Sequence, residues 1–302
     1  MTLNKDDCVL ADTEVFFLNS SAVGDEFKIF VAHPVTPVPA GARPGVIFAL
    51  DANSNFGLVT DIVRGGTLTG GPCAFVVGIG YRTGFMTPDW FIKRSRDFTP
   101  DASPVFDEMG GLMVGKPDRR IATGGALAFL RFIREELKPL IEQKFAVDAS
   151  ETTLVGMSLG GLFAITTLFT QPDTFKRYLV CSPSLWWNQD NFRHYEEDWA
   201  RAHQDLPARV FIAAGGEERH DKVEPKFRAA SPELQPLLAS FLNPDGHHLL
   251  AEHVEALVPQ LKARNFPSLR ITGKIFEDET HESVYPRALV MGLRTLFSPQ
   301  FD

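Results

Sequence analysis

Two runs of the chain, "GVIFALD" at 45–51 and "AFVVGIGY" at 74–81, carry almost no polar side chain over the length of a strand. A strand with one wet face alternates apolar and polar residues. Runs of this kind therefore suit strands buried on both faces, as in the middle of a parallel sheet covered by helices. The remaining pattern agrees. "TTLVG" (152–156) reads as a strand, "LGGLFAITTLFT" as a helix, and "KRYLVCS" (176–182) and "ARVFIAAG" (208–215) as further strands. "HLLAEHVEALVPQLKA" (248–263) has helical spacing, "LRITGKIF" (269–276) alternates as a strand, and "SVYPRALVMGLRTLF" reads as a closing helix. Alternation of strand and helix predicts crossover units, hence an α/β fold with a mostly parallel central sheet and helices on both faces. "EVFFL" (14–18) and "EFKIFVA" (26–32) add two strands ahead of a Pro-rich link.

From Ile121 to Phe145, apolar residues at Leu127, Leu130, Ile133, Leu137 and Ile141 recur at helical spacing, predicting an amphipathic helix that Pro139 kinks or ends early. Three stretches, at about 82–120, 183–207 and 219–246, lack clear periodicity and are expected to be loop insertions that form a cap over the site. With 302 residues, a single domain spanning 1–302 with these insertions is the expected organisation.

Apolar residues make up 44% and charged residues 23%, the balance of a globular chain able to bury a large core. A net charge of -8 with no Lys/Arg block argues against nucleic acid as a partner, because phosphate binding needs a concentrated basic face. Cys8, Cys73 and Cys181 form no CxxC pair, so neither a disulfide framework nor a structural zinc site is indicated. The start, "MTLNKDDCVLADTEVFFLN", lacks the basic and apolar regions of a secretory leader, and no apolar run is long enough to span a bilayer. A cytoplasmic location is expected, or a periplasmic one if a leader has been trimmed. The oligomeric state is not legible.

Chemistry concentrates in "LVGMSLGGLFA" (154–164), a G-x-S-x-G motif between an apolar strand and a helix. In a nucleophile elbow, this sharp turn strains the serine backbone and presents its hydroxyl at the helix N-terminus, where free N–H groups can stabilise an oxyanion. Ser158 is the candidate nucleophile; a plain glycine-rich turn is the competing reading. The elbow architecture places an acid and then a histidine later in the chain. Glu217 and Glu218 follow the strand "ARVFIAAG", at the carboxyl end where open sheets place active sites, with Glu218 the first choice. His281 follows the last strand in "EDETHESVYP". The backbone N–H groups of Leu159, after the nucleophile, and of Asn53, in "FALDANSNFG", are the candidate oxyanion donors.

Two other motifs fail on spacing. "HHLLAEH", with His247, His248 and His253, matches no H-E-x-x-H or H-x-x-E-H zinc pattern and reads as solvated helix-face histidines. "GIGYRTG" has the wrong spacing for a dinucleotide loop.

With these motifs together, the chain resembles the esterase D group of α/β hydrolases, especially its siderophore-esterase branch, which opens catecholate trilactones such as enterobactin and bacillibactin. The resemblance runs from about Glu14 to Phe297 and rests on "FALDAN" for the family's L-L-D-G-N, "VVGIGY", "RSRDFTP", "GMSLGG", "CSPSLWW", "AAGGEE" and "ETHESV". It implies an α/β-hydrolase fold, no metal or organic cofactor, and ester hydrolysis through an acyl-enzyme, with Ser158 as nucleophile, His281 as base, Glu218 as acid and Asn53 on the oxyanion loop. A Ser–His dyad without an acid also fits the branch. Ala52 stands where the family usually has glycine, which could shift that loop.

A small-molecule ester, a ferric siderophore among the candidates, is the expected partner. Tyr81, Arg82, Arg94, Arg96, Trp186 and Trp187 follow sheet strands and could line the mouth of the site, since guanidinium and indole groups suit an aromatic or acidic acyl portion. Structural roles compete, with Arg96 and Asp97 pinning the insert and the tryptophans sealing the core. The alternatives are a short-chain carboxylesterase, a feruloyl or acetyl esterase, an S-formylglutathione hydrolase and, from another class, a non-catalytic binding protein of the same fold.

Overall fold

The computed structural model describes residues 10–301 except 37, 39, 40, 68–70, 114, 230, 231, 234, 236–238 and 240–248. Its centre is an eight-stranded sheet in the order β1-β2-β4-β3-β5-β6-β7-β8. The strands are β1 (Thr13–Ser20), β2 (Asp25–Ala32), β3 (Gly45–Ala49), β4 (Ala74–Tyr81), β5 (Thr152–Met157), β6 (Arg177–Cys181), β7 (Arg209–Gly215) and β8 (Arg270–Phe276). β1 and β2 run antiparallel at one edge, and β2 pairs antiparallel with β4; all later neighbours are parallel. This is the mostly parallel α/β sheet that the alternation of strands and helices predicts, in the α/β-hydrolase arrangement that the resemblance implies.

The absence of polar residues in β3 and β4 has the expected cause. Val46 and Phe48 enter one core while Ile47 and Ala49 enter the other, and all four are buried. On the second face lie α1 (Ala52–Gly66), through Phe56, Val59 and Val63, and the last helix, α10 (Val284–Leu296), through Leu289 and Leu293. The first face is covered by α2 (Pro88–Phe98), α4 (Ala126–Arg131) with its continuation, α6 (Leu159–Thr170) and α9 (Ala251–Ala263). Among the described residues no helix is long and apolar enough to cross a membrane.

The three inserts are not loops. The first holds α2 and α3 (Pro104–Met113), the second α7 (Phe192–Ala202), and the third begins with α8 (His220–Arg228), its later part lying largely outside the described residues. Their inward faces carry charge, which hides the apolar period. α2 buries Trp90, Arg94, Asp97 and Phe98, at helical spacing. α7 buries Phe192 and Glu196, whose carboxylate is satisfied by Gln260 and Arg264 at 2.8 Å. The start of α2 was visible in principle: Thr87 caps it, its hydroxyl accepting from the Trp90 N–H at 3.3 Å, with Pro88 behind.

The helix expected at 121–145 begins only at Ala126. It continues from α4 through a π-helical stretch, Phe132–Leu137, into α5 (Lys138–Lys144). Leu127 faces solvent, against expectation, while Leu130, Ile133, Leu137 and Ile141 are buried. Pro139 neither ends nor interrupts the run. It sits just past the π-helical stretch, whose wider turn takes up the missing N–H, with the Lys138 N–H bonding the Ile133 carbonyl five residues back.

Candidate active site

β5 ends at Met157, and the chain turns into α6 through Ser158, whose backbone has φ 59° and ψ -122°. A non-glycine residue there is strained by about 1–3 kcal/mol and persists only where its surroundings fix it. Here they do. The Ser158 N–H donates to the Cys181 carbonyl at 3.0 Å, and its carbonyl accepts from the N–H groups of Leu162 at 2.9 Å and Ser184 at 3.1 Å. Three bonds of about 0.5–1.5 kcal/mol each offset the strain. Two glycines make the turn possible: a Cβ on Gly156 would come 2.2 Å from the Gly160 carbonyl, and one on Gly161 2.9 Å from Pro183 Cα. Gly160, the last glycine of the motif, has only ordinary contacts at 3.4 Å and beyond. The third glycine, behind the motif, is therefore the more constrained one.

Glu218 stands in a short helical turn after β7 and is buried; His281 lies in the loop after β8 and is partly exposed. His281 Nδ1 lies 2.6 Å from Glu218 Oε2. The other carboxylate oxygen accepts the Ser182 hydroxyl at 2.6 Å and the Gly215 N–H at 2.7 Å. Without an arginine or lysine partner among the described residues, this buried carboxylate is held by three donors. Of the two candidate acids, Glu217 turns away: its N–H bonds the Glu279 carbonyl, and its side chain is partly exposed, 4.0 Å from Lys222 Nζ. Ser182 and Ser184 both lie in "CSPSLWW", and no spacing rule in the sequence marks them as site residues. Ser184 Oγ is 3.4 Å from Ser158 Oγ. Among the described residues no hydrogen bond joins Ser158 to His281, and such bonds are commonly long before substrate arrives.

The N–H groups of Leu159 and Asn53 open α6 and α1, and neither has an acceptor among the described residues. The Asn53 side chain is occupied otherwise: its Oδ1 accepts from the Tyr81 N–H at 2.7 Å, and its Nδ2 donates to the carbonyls of Tyr81 and Thr83 at 2.8 Å each. That bridge ties the start of α1 to the end of β4. Ala52, in place of the family's glycine, faces Gly78, where a second Cβ would approach to 2.7 Å, so the extra methyl occupies room that Gly78 leaves.

Comparison with known proteins bears on this geometry. Residues 98–235 match the Esterase family model. Over 219 residues the chain is 38% identical to the ferri-bacillibactin esterase BesA of Bacillus subtilis, an overlap covering 70% of this chain and 72% of that protein. The chain belongs to the siderophore-esterase branch of the esterase family. Its fold superposes on that of the BES protein from Bacillus cereus with a TM-score of 0.76 and 30% identity, covering 98% of this chain and 99% of that one. The siderophore hydrolase EstA from Aspergillus nidulans gives 0.76 at 25% identity over 98% and 99%.

Several side chains expected at the mouth of this esterase are committed elsewhere. Tyr81 is buried, its hydroxyl 3.0 Å from Asp97 Oδ2; burial first, and then the carboxylates of Asp97 and Asp51, hold it well above the usual phenol range. Arg96 forks onto Asp97 at 2.6 and 2.9 Å and reaches Asp25 at 2.9 Å, which is the pinning role. Trp187 is enclosed, donating to the Asp101 carbonyl at 3.2 Å and packing edge-on against Phe106; Trp186 is buried against it. Arg82 turns to Glu26 at 2.8 Å and covers the Phe17 ring. These contacts give Tyr81, Arg96 and Trp187 structural partners, because sequence position after a strand does not fix which way a side chain turns.

The reading of His253 as a solvated residue is corrected. It is buried, with Nε2 3.0 Å from Asp190 Oδ2, because this face of α9 packs on the second insert. His247 and His248 lie outside the described residues. Among the described residues no group of three or more His, Cys, Asp or Glu is placed to hold a metal ion.

Proposed function

We propose that this chain is a serine esterase of siderophore-type esters, catecholate trilactones or related compounds, working through an acyl-enzyme. The reading rests on one observation: a strained serine at a helix N-terminus shares the carboxyl edge of the sheet with a histidine already bonded to a buried, fully satisfied carboxylate. Membership of the siderophore-esterase branch supports the substrate class.

In this mechanism the Glu218 carboxylate accepts from His281 Nδ1–H and leaves Nε2 free as the base. When an ester carbonyl enters, the Ser158 hydroxyl turns from Ser184 to Nε2, gives up its proton and attacks the carbonyl carbon. The resulting oxyanion is received by the N–H groups of Leu159 and Asn53. The imidazolium then protonates the leaving alcohol. Water, deprotonated by the same nitrogen, attacks the acyl-enzyme and releases the acid and Ser158.

Hydrolysis of ferric and iron-free catecholate trilactones, set beside short p-nitrophenyl esters and with Ser158→Ala as the control, tests both parts. Cleavage of the trilactones by wild type and loss of all hydrolysis in the variant is the expected result. Cleavage of the short esters alone would favour a general carboxylesterase, and an active Ser158→Ala enzyme would refute the nucleophile.

A further inference from the structure

α2 carries an arginine that the mechanism above does not use. Arg94 is 8% exposed and sits between the rings of Trp90 and Phe98, each centroid 5.4 Å from its guanidinium carbon. Its Nε and Nη2 fork onto Asp51 Oδ1 and Oδ2 at 2.7 and 3.0 Å, and Nη2 also donates to the Met157 carbonyl at 3.2 Å. Both partners border the candidate oxyanion site. Met157 directly precedes Ser158, and Asp51 is the N-cap of α1, two residues before Asn53.

The conformation of Asp51 shows what the pair is for. Aspartate at an N-cap ordinarily turns its carboxylate back onto the N–H groups of its own helix. Asp51 makes no such bond; its backbone is held at φ 55°, in the left-handed region, and its carboxylate is given to Arg94. The Ser54 and Asn55 N–H groups bond the Asp51 carbonyl at 3.0 and 3.1 Å, and the Asn53 N–H is thereby left without a side-chain cap. The same carboxylate borders the first turn of α6, since Asp51 Oδ2 lies 3.6 Å from where a Cβ on Gly160 would stand. Without a counter-charge, that carboxylate would oppose the negative charge that develops on a substrate oxygen.

We infer that Arg94 is a positioning residue: through Asp51 and Met157 it fixes the Asn53 and Leu159 halves of the oxyanion site relative to one another, keeps the Asn53 N–H uncapped, and neutralises the nearby carboxylate. The inference rests on the serine-esterase reading. Arg94 is buried and its fork is committed to Asp51, so it acts on the donors and not on the substrate. Its effect is therefore confined to the transition state, where the geometry of the donors counts and a displacement of about 1 Å can cost about a hundredfold in rate.

The test uses Arg94→Lys, which keeps the charge but loses the fork, and Asp51→Asn, which keeps the shape but loses the charge. Arg264→Lys serves as a control because it disturbs a comparable arginine–carboxylate pair, with Glu196, away from the site. On p-nitrophenyl butyrate, each site variant should lose about a hundredfold in kcat with KM within about threefold. Affinity for an aryl boronic acid, which mimics the tetrahedral adduct, should fall by the same factor as kcat/KM. Arg264→Lys should lower the unfolding midpoint and leave kcat unchanged. Should Arg94→Lys fail to fold, Asp51→Asn carries the same expectation alone. A kcat within fivefold of wild type in a folded site variant, or a loss shared equally between KM and kcat, overturns the inference. Ser158→Ala separates the two failures, since an active Ser158→Ala enzyme removes the underlying reading itself.

Discussion

Glu218→Gln is nearly isosteric, and its effect can be worked out from three hydrogen bonds. In the wild-type chain Oε1 faces two donors, the Ser182 hydroxyl at 2.6 Å and the Gly215 N–H at 2.7 Å. The hydroxyl can reverse its direction, but a backbone N–H cannot, so the amide of Gln must place its carbonyl oxygen there. Its NH2 then meets His281 Nδ1, the atom now 2.6 Å from Oε2. Two donors cannot share that contact, so the imidazole gives up the Nδ1 proton and carries its proton on Nε2. That is the tautomer unable to deprotonate Ser158. A wrong tautomer in a serine triad costs about 10⁴ in kcat, and loss of a general base about 10²–10⁴. A fall of about 10³–10⁴, or about 4–5.5 kcal/mol at 1.36 kcal/mol per tenfold, is therefore expected with the fold intact. Initial rates on p-nitrophenyl butyrate near pH 7.5 give the number, and 15N shifts of the imidazole report the tautomer. A kcat within fivefold of wild type would refute the reasoning and leave Ser158 and His281 acting as a dyad.

Two further predictions concern what holds the site. Gly160→Ala should keep its stability, or gain from better helix propensity by up to about 1 kcal/mol, whereas Gly161→Ala should lose about 1–3 kcal/mol in urea unfolding by driving a methyl to within 2.9 Å of Pro183 Cα. Equal effects at the two positions would contradict the packing described. Glu279, two residues before His281, accepts from Ser283 and from Arg287, and these bonds hold its carboxyl below the usual range of about 4.5. A lowered carboxyl contributes stability that is present above its unfolded pKa and lost as pH falls through its folded one. The difference in thermal midpoint between wild type and Glu279→Gln should accordingly be largest near neutrality and vanish once pH has fallen below the lowered pKa of the folded state; a difference that does not change with pH would show that the tether is not electrostatic.

How much of this was legible depended on whether burial and apolarity coincided. They do in β3, β4 and β5, where almost every side chain meets one core or the other, and the strands follow directly from the sequence. They part in α2 and α7, whose inward faces carry Arg94, Asp97 and Glu196, so an apolar period could not be seen and both helices read as loop. At the site, chain order brings Ser158, Glu218 and His281 to one edge, because the ends of successive parallel strands lie together there. It does not fix the orientation of Tyr81, Arg96 or Trp187. These also follow strands, but partners at a distance in sequence, Asp97, Asp25 and the Asp101 carbonyl, decide which way they turn. Nor could order reveal that Asp51 gives its carboxylate to another helix instead of capping its own.

Three of the strained positions belong together. Asp51, Ser158 and Ser182 all have positive φ, at 55°, 59° and 42°, and they stand at the ends of β3, β5 and β6, three neighbours in the sheet. Bonds to the next strand hold the last two. The Ser158 N–H reaches the Cys181 carbonyl on β6, and the Ser182 N–H reaches the Ala213 carbonyl on β7 at 2.7 Å. At about 1–3 kcal/mol each, the combined strain is of the same order as the whole stability of a folded domain, about 5–15 kcal/mol. Such strain persists only if the sheet edge acts as a unit. A stabilising substitution that relaxed any one of the three should therefore loosen its neighbour's hydrogen bond and with it the alignment of Ser158, Glu218 and the α1 N–H groups, so that stability would be gained at the expense of turnover.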